Sequence, residues 1–141
     1  MNLNASTAAL NKAALQTAFA VLAEGDGAPF VALMDDDFCW HMIGTTAWSG
    51  SYRGKQVVRE RLFAPLFAQF ADRYSNSAER FIAEGDYVVV QCRGRVTHKS
   101  GRRYDNTYCY VCRFEHGRLK ELTEYMDTQL VADVLDAPAH A

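Results

Sequence analysis

The sequence lacks the features that would assign it to a membrane, secreted or nucleic-acid-binding class of protein. No apolar run approaches the roughly 20 residues that a helix needs to cross a bilayer, and the first ten residues lack the basic and apolar stretches of a secretory signal. The formal net charge is −2, so there is no excess of basic residues for binding nucleic acid. These absences favour a cytoplasmic protein with neither a membrane nor a nucleic-acid partner.

Common cofactor and metal motifs are absent as well. The sequence contains no Gly-rich phosphate loop after a predicted strand, no Gly-x-Ser-x-Gly elbow, and no histidines and carboxylates at metal-ligand spacing. Four cysteines are present, and a domain of this size does not need disulfides. Cys109 and Cys112 lie in a strand-like run, where residues three apart point to opposite faces. This favours buried structural thiols over a zinc or redox pair, and we expect neither a metal nor an organic cofactor.

The composition is that of an ordinary globular protein. Apolar residues make up 49% of the chain and charged residues 23%, which argues against disorder. No internal repeat or linker interrupts the 141 residues. We therefore predict one domain over residues 1–141, with a core over about 6–136 and a short frayed tail.

Helical spacing dominates the first half of the chain. The first predicted helix runs from residue 6 or 7 to about 23, and Pro29 opens a short second helix that ends near residue 34. A strand over 38–43 and a Gly-rich loop lead to a third helix over about 55–70, in which Pro65 should cause a kink. The apolar stripe of the first helix is formed by Leu10, Ala14, Ala18 and Leu22.

After residue 75 the pattern becomes that of β-strands. Strands are predicted over about 76–83, 87–98, 103–115 and 118–127, followed by a closing helix over about 128–135. Helices followed by an antiparallel meander are typical of an α+β fold. We predict a cone-shaped, curved antiparallel sheet packed on the helices, with an internal pocket.

The hairpin between the last two strands decides which residues face each other. A three-residue loop ending at Gly117 would place Tyr108 opposite Glu124 and Asn106 opposite Met126, whereas a two-residue loop would place Cys109 opposite Glu124. The first register is preferred because it gathers the large aromatic and isolated polar groups on one concave surface. The outer face would then carry an apolar patch of Cys109, Val111, Leu119 and Tyr125, which predicts a homodimer through that face.

Glu124 is the main candidate for chemistry. Between Leu122 and Met126 on an inward face it would be a carboxyl in apolar surroundings, and burial raises its pKa toward the range useful for proton transfer. The alternative is a structural carboxylate hydrogen-bonded to Asn106 or to a tyrosine hydroxyl. Asn106 and Tyr108 could orient a substrate oxygen or a water, or could only pack across the strands.

Other side chains could line the pocket or serve the fold. Trp40 is expected inward and His41 outward, because neighbours on a strand face opposite ways; His41 is a candidate base near the mouth or else a solvated residue. Trp48 and Tyr52 could cover the pocket or the core. Asp127 could cap the closing helix or contact the ligand. Tyr110 and Met126 complete the predicted substrate-binding set.

Several segments resemble one protein family. These are residues 101–108, 114–119 and 124–128, together with Trp40 and the loop over 49–54. They are similar to the SnoaL-like branch of the nuclear-transport-factor-2-like superfamily, which includes ketosteroid isomerases, limonene-epoxide hydrolases and polyketide cyclases. The resemblance implies a cone-shaped α+β barrel, usually a homodimer, with an acidic residue on the final strand at a place similar to Glu124. The Arg-x-Asp pair of the epoxide hydrolases is missing, since the comparable strand reads Arg93-Gly94-Arg95.

Two hypotheses of function follow. The first is a cofactor-independent isomerase, cyclase or hydrolase-like enzyme that acts on an apolar small molecule bearing a carbonyl or hydroxyl. In it Glu124 moves a proton, Asn106 and Tyr108 hold an oxygen, and Trp40 packs on the ligand. The second is a ligand-binding or dimerisation module of the same fold without turnover.

Overall fold

The computed structural model describes the backbone of residues 3–139 and the side-chain surroundings of residues 7–139. Helices and one six-stranded sheet form a mixed α+β fold, as predicted. The helices are α1 (Leu3–Leu22), α2 (Ala28–Leu33), α3 (Lys55–Val57), a π-helical segment (Val58–Phe63), α4 (Ala64–Phe67) and α5 (Thr128–Val134). The strands are β1 (Met34–Met42), β2 (Gly50–Arg53), β3 (Ser75–Glu84), β4 (Tyr87–Arg95), β5 (Thr107–Glu115) and β6 (Arg118–Met126).

The sheet has the strand order β2-β1-β6-β5-β4-β3. Strands β3 to β6 form the predicted antiparallel meander. The sheet departs from the predicted antiparallel pairing at one place, where β1 pairs with β6 in parallel. A parallel pair needs a long connection between its strands, and here the helices and the whole meander supply it. The sheet curves around α1, which packs against β3.

The first helix starts at Leu3, earlier than predicted, and buries only part of the expected stripe. Ala18 and Leu22 are buried together with Leu15 and Phe19, whereas the Leu10 side chain is 71% exposed. The buried face therefore covers the last three turns of α1, where the helix lies over the sheet. No helix among residues 3–139 is long and apolar enough to span a membrane.

Strand β1 begins four residues before the predicted start and includes the acidic run over residues 35–37. Across the sheet, Lys120 Nζ lies 2.8 Å from Asp35 Oδ2 and 2.5 Å from Asp37 Oδ1. This ammonium group lowers the pKa of Asp35 by hydrogen bonding. Neighbouring acidic residues can therefore lie on one strand, because a cation on β6 compensates their charge.

The predicted third helix is interrupted just before Pro65. Ala64 N–H donates to Arg59 O, five residues back, and residues 58–63 have π-helical geometry. Proline has no N–H and its ring collides with the carbonyl four residues back, so a regular α-helix cannot pass through it. The widened turn places Leu62 in the core and Phe63 against it.

The β5–β6 hairpin follows neither predicted register. Its turn has two residues, His116 and Gly117, both with positive φ (51° and 74°), and Glu115 pairs with Arg118. This is the conformation that a type I′ turn requires. The two-residue loop alone would put Cys109 opposite Glu124, but the pairing shifts farther along the strands.

The shift is a β-bulge on β6. Phe114 pairs with Leu119 and Arg113 pairs with Glu121, so Lys120 is the extra residue. The result places Tyr110 opposite Glu124 and Tyr108 opposite Met126. The extra residue reverses the alternation of inward and outward side chains along β6. Leu119 is therefore buried, as Leu122 is, and is not part of an outer patch.

Candidate functional site

A cavity of about 380 Å³ lies between the concave face of the sheet and the helices. Its wall is mostly apolar, with side chains from α2, the π-helical segment, α4 and α5. Five of the residues predicted for the site line it: Trp40, Trp48, Tyr108, Tyr110 and Glu124. A concave apolar pocket with a few convergent polar groups is the usual form of a small-molecule site.

Glu124 lies in this wall as a carboxyl group without a charged partner among the described residues. Strand β6 turns it inward, and it is only 5% exposed. One carboxyl oxygen, Oε1, accepts a hydrogen bond of 2.8 Å from Trp40 Nε1. Burial raises the pKa of Glu124 to about 7, while the bond from Trp40 acts in the opposite direction. At neutral pH the group therefore exists in both protonation states.

Trp40 reaches Glu124 because β1 and β6 run side by side. Met42 is the direct neighbour of Glu124 in the parallel pair, and Trp40 lies two residues before it on the same face. The indole ring packs edge-on against Phe63 and Tyr110, each with a ring-centroid distance of 5.6 Å. The donor is thus held in place by packing on two sides.

Four tyrosines form a hydroxyl-bearing wall next to the carboxyl. Tyr108 and Tyr110 on β5 have ring centroids 5.3 Å apart, and Tyr74 and Tyr104 interact with the hydroxyl of Tyr108. Burial raises the pKa of Tyr104 to about 12 and raises the pKa values of the other three as well. These groups stay protonated near neutral pH, so they can donate hydrogen bonds but cannot act as bases.

Gly94 on β4 leaves room for two of these tyrosines, Tyr74 and Tyr108, to lie close to the backbone of the sheet. A Cβ atom at this position would lie 2.9 Å from the Tyr108 ring and 3.0 Å from the Tyr74 hydroxyl. Any larger residue would push at least one tyrosine away. The glycine between two arginines is therefore explained by the close approach of side chains from two neighbouring segments.

Asn76 is the site residue that the sequence did not reveal. It lies near the start of β3, is 1% exposed and lines the cavity. Its Nδ2 donates to Tyr74 OH at 3.1 Å and to Tyr110 OH at 3.4 Å. The surrounding Ser-Asn-Ser sequence is typical of a turn or strand edge, so nothing in the pattern indicated a buried amide.

The family model of the SnoaL-like domain matches residues 15–122, which is most of the chain. The protein belongs to the SnoaL-like family. No curated protein matches its sequence.

Solved structures show the same fold as this SnoaL-like chain. Bal32a, from a soil-derived mobile gene cassette, is 21% identical with a TM-score of 0.75, covering 91% of this chain and 96% of its own. A Jannaschia sp. CCS1 protein described as a SnoaL-like polyketide cyclase is 21% identical with a TM-score of 0.73, covering 92% and 94%. TerC, co-crystallised with polyporic acid, is 20% identical with a TM-score of 0.74, covering 89% and 97%. These likenesses establish the fold, and other structures in the group are called NTF2-like.

Asn106, predicted to contact the substrate, lies outside the cavity wall. Its Oδ1 accepts from the backbone N–H groups of Thr107 (2.8 Å) and Asp127 (3.0 Å). Its Nδ2 donates to Asp127 O and to Tyr104 OH. In this SnoaL-like chain Asn106 therefore joins the start of β5 to the end of β6 and steadies one cavity tyrosine.

His41 and Tyr52 also lie away from the cavity wall. His41 is on the outer face, with Nδ1 2.7 Å from Ser51 Oγ and Nε2 3.5 Å from a Glu121 carboxylate oxygen. The hydroxyl of the buried Tyr52 donates to Trp48 O at 2.7 Å. A base at His41 could not reach a ligand beside Glu124, since the sheet separates them, whereas Tyr52 supports Trp48 from behind.

Met126 and Asp127 end the last strand without reaching the cavity. Met126 is partly buried and packs against the core. Asp127 caps α5, since its Oδ1 accepts from the backbone N–H groups of Gln129 (3.0 Å) and Leu130 (3.2 Å). The capping alternative for Asp127 is thus the one that the structure shows. Among residues 3–139 no cluster of His, Cys, Asp and Glu could hold a metal ion.

Replacing Asp127 with alanine is expected to lower the free energy of unfolding by about 1 kcal/mol, because two N–H groups of α5 lose their acceptor. Asp127→Asn keeps an acceptor oxygen and should recover most of the loss. Denaturant unfolding of the three proteins measures the difference. Equal stability of wild type and D127A would contradict the capping role.

Proposed function

We propose that this protein is an enzyme that uses Glu124 as a proton-transferring acid or base on a mostly apolar small molecule bearing a carbonyl or hydroxyl group. The observation that supports this most directly is the environment of Glu124. It is a buried carboxyl with no charged partner among the described residues, it faces an apolar cavity, and its pKa is raised to about 7. A group with a pKa near the working pH is the best proton carrier.

The surrounding groups fit this role without a metal or an organic cofactor. The hydroxyls of Tyr108 and Tyr110 remain protonated and can donate to a substrate oxygen on which negative charge develops. Trp40 keeps one oxygen of Glu124 fixed, which leaves Oε2 to exchange the proton. Asn106 acts indirectly, as a positioning residue whose Nδ2 donates a hydrogen bond to the hydroxyl of Tyr104.

Two proteins of the same fold support a ligand of this kind. The Jannaschia protein is described as a polyketide cyclase, and TerC was crystallised with an organic acid, polyporic acid. Both names are consistent with a cavity that accepts carbon skeletons bearing oxygen. Turnover and binding without turnover are both compatible with these names, so a chemical test has to distinguish them.

The test is hydrogen exchange at an activated carbon. 2-Tetralone, an apolar ketone with acidic C–H groups, is incubated with the protein in D₂O and followed by NMR. Faster deuterium uptake than in buffer requires a positioned base. If the ketone binds in the cavity without faster exchange, the protein is a binding module and the enzymatic proposal fails.

We also propose a homodimer formed through the outer sheet face. Val111 and Cys109 are partly buried there, Tyr125 and Ile82 are about half exposed, and together they form an apolar strip across the sheet. Apolar patches on an open sheet commonly mark an interface. Of the predicted patch, only Leu119 is missing, because the β6 bulge turns it inward.

Sedimentation at micromolar concentration should give a mass near twice the chain mass of 15.8 kDa. Val111→Lys puts a charge in the centre of the strip and should yield monomers without unfolding the chain. Gln16→Lys on the exposed side of α1 is the matched control and should remain dimeric. A wild-type protein that sediments as a monomer would refute the proposal.

A further inference from the structure

One buried polar atom in the described part of the chain has no partner. It is Asn76 Oδ1, the carbonyl oxygen of a side chain that is only 1% exposed. The amide nitrogen of the same side chain is occupied by Tyr74 and Tyr110. Buried polar groups are normally satisfied, so an exception in a folded protein calls for an explanation.

The position of Asn76 supplies that explanation. The residue lines the same cavity as Glu124, and its nitrogen bonds to two tyrosine hydroxyls whose residues line that cavity as well. An unpaired acceptor destabilises the fold, whereas an apolar residue of similar shape would not. The acceptor is therefore best understood as one that a ligand completes.

We propose that Asn76 Oδ1 accepts a hydrogen bond from a hydroxyl group of the substrate. This inference rests on the proposed function only in taking the cavity beside Glu124 as the substrate site. The substrate then carries two oxygen groups. Glu124 acts on one of them or on the carbon next to it, and Asn76 recognises the other.

The sheet sets the separation between these two groups. Asn76 is on β3 and Glu124 is on β6, three strands away, which corresponds to about 14 Å along a flat sheet and less across a concave one. The rings of Tyr108 and Tyr110 lie between them. This arrangement favours a flat, apolar ring system with a hydroxyl at the end remote from the reacting group.

The test compares two probes that differ in one hydrogen-bond donor, 4-phenylphenol and its methyl ether, 4-methoxybiphenyl. Trp40 and Trp48 line the cavity, so quenching of tryptophan fluorescence reports binding. Wild type is expected to bind the phenol about tenfold more tightly, the usual worth of a hydrogen bond to a buried acceptor. In Asn76→Leu and Asn76→Ala the two probes should bind equally.

Asn11→Leu is the matched control, because Asn11 is a second buried asparagine that does not line the cavity. It should keep the preference for the phenol, and near-UV circular dichroism checks that each variant is folded. If both Asn76 variants fail to fold, Glu124→Leu, which removes both acceptor oxygens at that position, still decides. A preference that disappears there shows that the hydroxyl binds Glu124, and one that persists supports Asn76.

Equal binding of the two probes by wild type would overturn the inference, as would a preference that survives in folded Asn76 variants. These are equilibrium measurements, so they do not depend on turnover. A protein that prefers the phenol but exchanges no deuterium would retain the Asn76 site and lose only the enzymatic proposal. A protein that exchanges deuterium but binds the two probes equally would support the enzymatic proposal and exclude the Asn76 site.

Discussion

Replacing Glu124 with glutamine is expected to slow any proton transfer in the cavity by roughly 10²–10⁴-fold, the usual contribution of a general acid or base. Glutamine keeps the shape of the side chain and an oxygen that can accept from Trp40, but it cannot carry the proton. The measurement is deuterium uptake by 2-tetralone with wild type and variant at equal concentration. Binding of the ketone should change much less than the rate.

The matched control for this experiment is Glu121→Gln. Glu121 is on the same strand, but it lies on the outer face, where it is bound to Arg113 at 3.0 Å. Its loss should leave the exchange rate unchanged. An E124Q protein that exchanges as fast as wild type would remove Glu124 from the mechanism, whatever its pKa.

The pH profile of the wild-type rate provides a second readout of the same group. If Glu124 takes the proton from carbon, the rate should rise with pH and level off above about 7, where the carboxyl is ionised. Trp40→Phe removes a bond that lowers the pKa, so the midpoint should move to higher pH. A midpoint near the ordinary value of 4.5 would contradict the environment described for this group.

Glu124→Gln is also expected to stabilise the fold at high pH, with an effect of about 3 kcal/mol. Burial raises the pKa from 4.5 to about 7, and each pKa unit corresponds to about 1.4 kcal/mol. The folded state therefore favours the neutral carboxyl. The stability that this group contributes is fully present below pH 4.5 and is lost as the pH rises through about 7.

Urea unfolding at pH 5 and pH 8 tests this prediction. Other groups titrate as well, so the quantity to compare is the difference between wild type and E124Q at each pH. The two proteins should be similar at pH 5, and the variant should be the more stable one at pH 8. A constant difference across this range would show that the carboxyl is not held in an apolar environment.

The general fold could be predicted from the sequence because it depends on periodicity. The change from helical to alternating spacing near residue 75 located the meander, and each turn contained glycine. The short strand β2 was missed, because Gly50 and Gly54 at its ends are typical of loops. The early start of β1 was missed because three consecutive aspartates disfavour a strand unless a distant lysine compensates them.

The inward face of the last strands was predicted more reliably than their register. Alternation places Tyr110 on one face of β5 with Tyr108, and Glu124 on one face of β6 with Leu122. The preferred register turned both faces inward, and the actual pairing differs from it by two residues, which leaves the faces unchanged. The actual pairing depends on a turn with a non-glycine residue, His116, at positive φ and on a bulge at Lys120. Neither leaves a clear mark in the sequence, since a non-glycine residue is uncommon at positive φ and a lysine within a strand does not indicate a bulge.

Some site residues could be predicted from strand alternation, and others depend on tertiary contacts. Trp40, Glu124 and Tyr108 follow from the faces of strands, whereas Asn76 depends on contacts between separate segments. The roles predicted for Asn106 and Asp127 were plausible at the level of neighbouring strands. In the folded protein Asn106 bonds to the backbone of Thr107 and Asp127, and Asp127 bonds to the backbone of α5. These partners follow from the meeting of β5 with the end of β6, which the spacing of residues does not reveal.

The parallel pairing of β1 with β6 has a consequence for the order of folding. The meander from β3 to β6 consists of hairpins between neighbouring segments, which form quickly, whereas the Trp40–Glu124 bond joins residues 84 positions apart. If the meander forms before β1 docks, Glu124 lies beside an open strand edge in contact with water, where burial does not yet raise its pKa. We therefore expect the final docking step at neutral pH to take up a proton from solvent, so that refolding slows as the solution becomes more alkaline.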